Sequence, residues 1–166
     1  MLALILLITG IIFRFIPHTA NFTPILAIAL FGGAYLDKKY AILLPLALMM
    51  LTDIFLGVHN TVLFTWGSII LISGLGMFLR ERKSAANVTL SALSSAVLFF
   101  IITNFGVWIM GWYPRTLNGL ISCYTLAIPF FRTSIISTLV FSLGLFGIYE
   151  VVARKIKDTP LAKVLL

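Results

Sequence analysis

Charge is what this sequence has least of. Only 10% of its residues are charged, where an ordinary soluble domain carries roughly 25%. Aspartate and glutamate together number 5 among 166 residues. So few ionised groups cannot hydrate a globular surface, which excludes a soluble domain. A single cysteine, Cys123, excludes an intrachain disulfide. No Cys-x-x-Cys or His-x-x-x-His spacing is present, which removes the usual zinc frameworks. Gly-x-Ser-x-Gly, a glycine-rich phosphate loop and a pair of carboxylates within one span are also missing, so the common hydrolytic and nucleotide-driven chemistries find no footing. The expectation is a protein that is not an enzyme and holds no cofactor. Internal repeats and low-complexity segments are absent too.

What the chain has is apolar residues, 61% of the total. Its runs are too long for the short alternating strands of a barrel and long enough for helices, which satisfy their own backbone groups in lipid. The fold class expected is an all-α integral membrane protein in one domain over residues 1–166. At roughly 20 residues per span there is room for six transmembrane helices. They are read at residues 1–16, 24–37, 40–56, 61–78, 88–110 and 131–152. Residues 117–128 precede Pro129 and Arg132, and these two interrupt an apolar run too long for one span. A re-entrant or interfacial half-helix before the last span is therefore expected there. The N-terminal run lacks the basic start and small-residue cleavage site of a signal peptide. Pro17 ends the first span, Pro24 opens the second with Thr23 or Asn21 as its cap, and Ala29, Gly32 and Gly33 form a small-residue patch for close helix packing.

Loop charge sets the orientation. Taking alternate loops as one side puts Lys38, Lys39, Arg80, Arg82, Lys83, Arg154, Lys155, Lys157 and Lys163 together, against Arg14, Arg115 and Arg132 on the other. The positive-inside rule makes the first side cytoplasmic, with both termini inside and the protein a multi-pass component of the cell (inner) membrane. This also accounts for the net charge of +7 without nucleic acid, because the basic residues lie in loops and form no basic face interleaved with aromatics.

On that assignment most unusual polar residues fall on the outer side, contributed by several spans. Convergence of this kind suits a small-molecule pocket. The ligand-binding candidates are His18, Asn21, Thr23, Asp53, Asn104, Trp108, Tyr113, Arg115, Tyr124 and Arg132. Asp53 is the sharpest of them, since a carboxylate at a helix centre costs roughly 2.5 to 3.5 kcal/mol on insertion scales and so avoids lipid. It either lines the pocket or pairs with Arg14, Arg115 or Arg132. Asn104, Trp108 and Gly111 share one helical face, which serves either a ligand or helix packing. His59, Asn60 and Asn118 read more simply as loop polarity. Cys123, His18 and His59 are weak metal candidates, Cys123 being first of all a small apolar filler. The excess of arginine over Asp53 outside points to a ligand that is anionic or rich in polarised oxygens, with Trp108 available to stack on a ring.

The stretch NFTPILAIALFGGAYLDKKYAILLPLALMMLTDIFLG, residues 21–57, resembles the second and third spans of the substrate-binding S components of energy-coupling factor (ECF) vitamin transporters. With ITNFGVW at 102–108, it also resembles a group of bacterial membrane transport proteins sharing NFTP and TDIFLG-like motifs. The resemblance implies a six-helix protein that binds a vitamin-like micronutrient near its outer face. It implies as partners, besides membrane lipid, a transmembrane coupling subunit and its ATPases. The first span departs from the Ala-x-x-x-Ala docking pattern of those components, with only Ala3 and Gly10. A solitary importer, as in the related cobalamin importers, therefore stays open beside a module-coupled one. Two other functions compete: an enzyme acting on a lipid or isoprenoid through Asp53 and the histidines, and a structural subunit of a membrane complex.

Overall fold

The computed structural model describes residues 1–16 and 19–165. Among these residues the secondary structure is entirely helical: α1 (Leu2–Phe15), α2 (Ile25–Tyr35), α3 (Lys38–Leu56), α4 (Val62–Leu79), α5 (Ala85–Ile109), α6 (Leu117–Ile156) and a terminal turn, α7 (Ala162–Leu165). Four of them, α3 to α6, are long and apolar enough to cross a bilayer, while α1 and α2 are shorter apolar helices. The all-α membrane architecture is thus as expected.

The bundle is organised around α2. Its sequence, ILAIALFGGAY, is apolar on every face, and a helix of that kind has to be surrounded. Every residue from Ile25 to Ala34 is buried, with α1, α3, α4, α5 and α6 all packed against it. The small-residue patch makes this approach feasible. Gly33 meets Gly76 of α4 so closely that a methyl group at Gly33 would lie 2.8 Å from the Gly76 Cα and overlap the Ser73 carbonyl oxygen. Gly32 faces Pro45 of α3 in the same way, at 2.8 Å from its ring. Backbones in such contact gain dispersion energy that lipid cannot match.

The C-terminus of α2 ends inside protein and is capped from another helix. The Arg80 guanidinium donates through Nε to the Gly33 carbonyl at 3.1 Å and through Nη2 to the Leu36 carbonyl. A cation here satisfies carbonyls that have no helical partner and sits at the negative end of the helix dipole. Beside it the Tyr35 hydroxyl donates to Glu150 Oε1 at 2.6 Å, the Tyr35 and Tyr149 rings lie 4.0 Å apart, and Lys83 covers the Tyr35 ring at 4.9 Å.

One expected break is missing. Residues 117–128 are helical, but they continue without interruption through Pro129 into the last span, giving a 40-residue helix about 60 Å long at 1.5 Å per residue. Proline removes one donor and crowds the preceding turn, yet the helix absorbs it because α5 packs along α6. The Thr133 hydroxyl donates back to the Pro129 carbonyl at 3.2 Å. Packing here outweighs the local cost, about 3 kcal/mol, of an interior proline.

Candidate functional site

Below the first turn of α2, the helices part around a cavity of about 390 Å³. It lies at the end of the bundle where α2, α4 and α6 begin and α3 and α5 finish. Its polar lining comes from Asn21 and Thr23 on the connector before α2, His59 on the α3–α4 loop, Thr65 on α4, Thr103 and Asn104 on α5, and Ser134 on α6. Phe99, Phe100, Phe130, Phe131 and Met49 supply the apolar wall. Phe100 and Phe131 are stacked, with centroids 4.4 Å apart. A space of this size, mostly apolar with a few placed hydrogen-bonding groups, has the character of a small-molecule site.

Local structure explains how the connector reaches the cavity. Asn21 has φ of 63°, the left-handed region that asparagine tolerates better than most residues. Its carbonyl accepts from the Ser137 hydroxyl of α6 at 3.2 Å, which fixes the turn. Thr23 Oγ1 accepts from the Ile25 N–H at 3.2 Å, so the threonine supports the start of α2, and Pro24 directly precedes the helix. On α5, Asn104 Nδ2 donates to the Phe100 carbonyl at 2.8 Å, which leaves the carboxamide oxygen available toward the cavity.

Of the ten ligand-binding candidates, Asn21, Thr23 and Asn104 line this cavity. His59, read as simple loop polarity, lines it as well, with Nδ1 and the Thr61 hydroxyl 2.9 Å apart. Asp53 does not line it. Asp53 is 2% exposed, and its carboxylate accepts from the Trp66 indole N–H at 2.9 Å. The pair nevertheless borders the site, because Met49, one turn before Asp53, and Thr65, the residue next to Trp66, are both in the wall.

Three of the remaining candidates, Trp108, Arg115 and Tyr124, tie α5, α6 and their connection together. The Trp108 indole N–H donates to the Pro114 carbonyl at 3.1 Å, Arg115 Nη2 to the Ile109 carbonyl at 2.9 Å, and the Tyr124 hydroxyl to the Ile101 carbonyl at 2.6 Å. Arg132 is exposed on α6, as are Asn60 and Asn118 in their own segments. Tyr113 lines a separate, smaller cavity with Cys123 and Asn104. His18 and Pro17 lie outside the described residues, and among the described residues no cluster of histidine, cysteine and carboxylate side chains could hold a metal ion.

Sequence reasoning passed over Thr65, Thr103, Ser134 and the four phenylalanines. A signal existed for α6. Ser134, Ser137, Thr138 and Ser142 recur at steps of one and two turns through an otherwise apolar span, and all four are buried. Such spacing marks an inward face. No curated protein and no solved structure matches the chain. The family model of DUF6580, described as a family of unknown function, matches residues 1–161, and the chain belongs to that family.

Proposed function

We propose that this is a membrane transport protein that captures a small, vitamin-like molecule in the cavity at the Asn21 end of the bundle. It serves either as the substrate-binding subunit of an ECF-type importer, with coupling subunit and ATPases as partners, or as a solitary importer. The observation that carries this reading is the cavity itself, about 390 Å³ with polar side chains and phenyl rings converging from three helices, α4, α5 and α6, and from two connecting segments. His59 is the one titratable side chain among the described residues of the wall, which favours binding over acid–base catalysis, and a purely structural subunit would have no use for a polar hollow in its core. The resemblance of residues 21–57 to S components supports the choice of transport.

Hydroxyls and carboxamides supply directed hydrogen bonds without fixed charge, and the phenyl rings supply flat apolar faces. The wall therefore suits a ring compound with polarised oxygens. Arg115 and Arg132, placed at the same end of the molecule, favour the approach of negative charge without entering the wall. The loop-charge asymmetry makes the Arg80 end cytoplasmic and the cavity end external, in the cell membrane.

Purification of the full chain in mild detergent, followed by mass spectrometry of what it retains, tests the proposal. One dominant small molecule, bearing a ring and polar oxygens and lost from Asn104→Ala and Thr103→Val, is the expected result. Protein that folds and carries no such molecule, even from cells grown in rich medium, would overturn it.

A further inference from the structure

Resting on the transport reading above, we infer that the site has two chambers and takes an elongated ligand: a polar, flat head in the main cavity and an apolar extension lodged between α5 and α6. A second cavity, of about 240 Å³, lies on the other side of a shared wall. Asn104, Val107, Ala127 and Phe130 line both spaces, so a single layer of side chains separates them. The chambers differ in chemistry. The main one offers hydroxyls from Thr23, Thr65, Thr103 and Ser134. The second is built from Trp112, Tyr113, Cys123 and Leu126, and beyond the shared Asn104 its one hydroxyl is that of Tyr113.

The partition is arranged to admit something across it. Phe130 is half exposed, at 49%, and its ring stands at the boundary without a polar tie. Asn104 anchors the boundary from the other side. Its carbonyl accepts from Cys123 Sγ at 3.4 Å, while its side-chain N–H is engaged within α5. The carboxamide oxygen is thus held at the junction, where it can accept from the linking portion of a ligand. The apolar, aromatic character of the second chamber selects the class of that extension. A hydrocarbon or a second ring fits this mostly apolar lining, whereas a charged group would find no ionic partner in it.

Leu126 provides the test, because it is 61% exposed and forms part of the second chamber only; Leu126→Cys in a Cys123→Ser background leaves one thiol in the chain. N-ethylmaleimide modification would be followed on full-length protein as purified, and again after its retained molecule has been stripped by extensive detergent washing. Slower alkylation of the occupied protein, by about tenfold, is expected. Leu126→Trp, at a position 61% exposed and confined to the second chamber, should fold normally and reduce retention of the molecule by about tenfold or more, the lower end of what overpacking a filled space costs. If the wild type and Leu126→Cys retain a molecule, but the thiol of Leu126→Cys reacts equally with and without it and Leu126→Trp retains it fully, the second chamber is not part of the site and the transport reading stands alone. Should the wild type retain nothing, both fall together.

Discussion

Trp66 and Asp53 face each other across the α3–α4 pair, the indole N–H donating to a carboxylate oxygen at 2.9 Å within the bundle. Hydrogen bonds to charged groups contribute about 1.5 to 3 kcal/mol. Trp66→Phe is expected to lower stability by about that amount, since it removes the donor and keeps the buried carboxylate. Asp53→Asn keeps an acceptor for the indole and should cost less. Thermal melting in detergent separates the two. Asp53→Asn melting below Trp66→Phe would mean that the carboxylate's other partners, and not the indole, hold it.

The Gly33–Gly76 contact supplies its own controls. Gly33→Ala and Gly76→Ala each drive a methyl group into backbone, at Ser73 and Leu30 respectively, where no side chain can turn aside. Each should destabilise by about 3 kcal/mol or more, the upper range for overpacking. Gly67→Ala and Gly74→Ala, on the same helix with open space at the added methyl, should be neutral or slightly stabilising because helix propensity improves. Equal melting of all four variants would show that α2 and α4 do not approach as described.

Arg80 acts through its planar fork. Arg80→Gln should cost about 1 to 3 kcal/mol by leaving the Gly33 and Leu36 carbonyls without their cationic donor. Lysine keeps the charge but offers a compact ammonium in place of the rigid planar fork that spans the two carbonyls. Arg80→Lys should therefore recover only part of the loss, read as melting temperature and as protease resistance of the α2–α3 turn.

Cys123→Ala should fold normally, because Sγ makes a single weak contact at 3.4 Å and otherwise fills space. Its melting point should drop by less than about 1 kcal/mol equivalent. A change in absorbance of a bound metal-containing ligand on this substitution would instead give the thiol a ligating role.

Membrane orientation is open to direct measurement. In a Cys123→Ser background, Lys157→Cys should react with an impermeant maleimide only after the cells are opened. Labelling of intact cells would invert the assignment and place the cavity inside.

Much of this architecture was legible in the residues. The glycines of ILAIALFGGAY announced close contact, whereas its apolarity on every face, a mark of a surrounded helix, went unused. Asn21, Thr23 and Asn104 belong to the polar set that loop charge assigns to the outer side, and they do meet at one cavity. Trp108, Arg115 and Tyr124 were chosen on the same grounds, yet each spends its donor on a nearby main-chain carbonyl. Composition cannot separate a polar group turned toward a ligand from one turned toward the backbone, since both escape lipid equally well. Pro129 misled for a related reason. A proline weakens a helix locally, but whether the helix breaks depends on what packs alongside, and α5 does so over a long stretch.

The enclosure of α2 bears on how the protein is made. With 11 residues it spans about 16 Å, near half of the roughly 30 Å hydrocarbon layer, so it is poorly suited to partition into the bilayer by itself. Its surroundings also arrive late during synthesis. The arginine that caps it is 47 residues downstream of Gly33, and the carboxylate that binds Tyr35 is 115 residues downstream. The centre of the finished molecule thus leaves the ribosome well before the residues that cap and enclose it. Translation through the end of α6 becomes a precondition for closing the bundle.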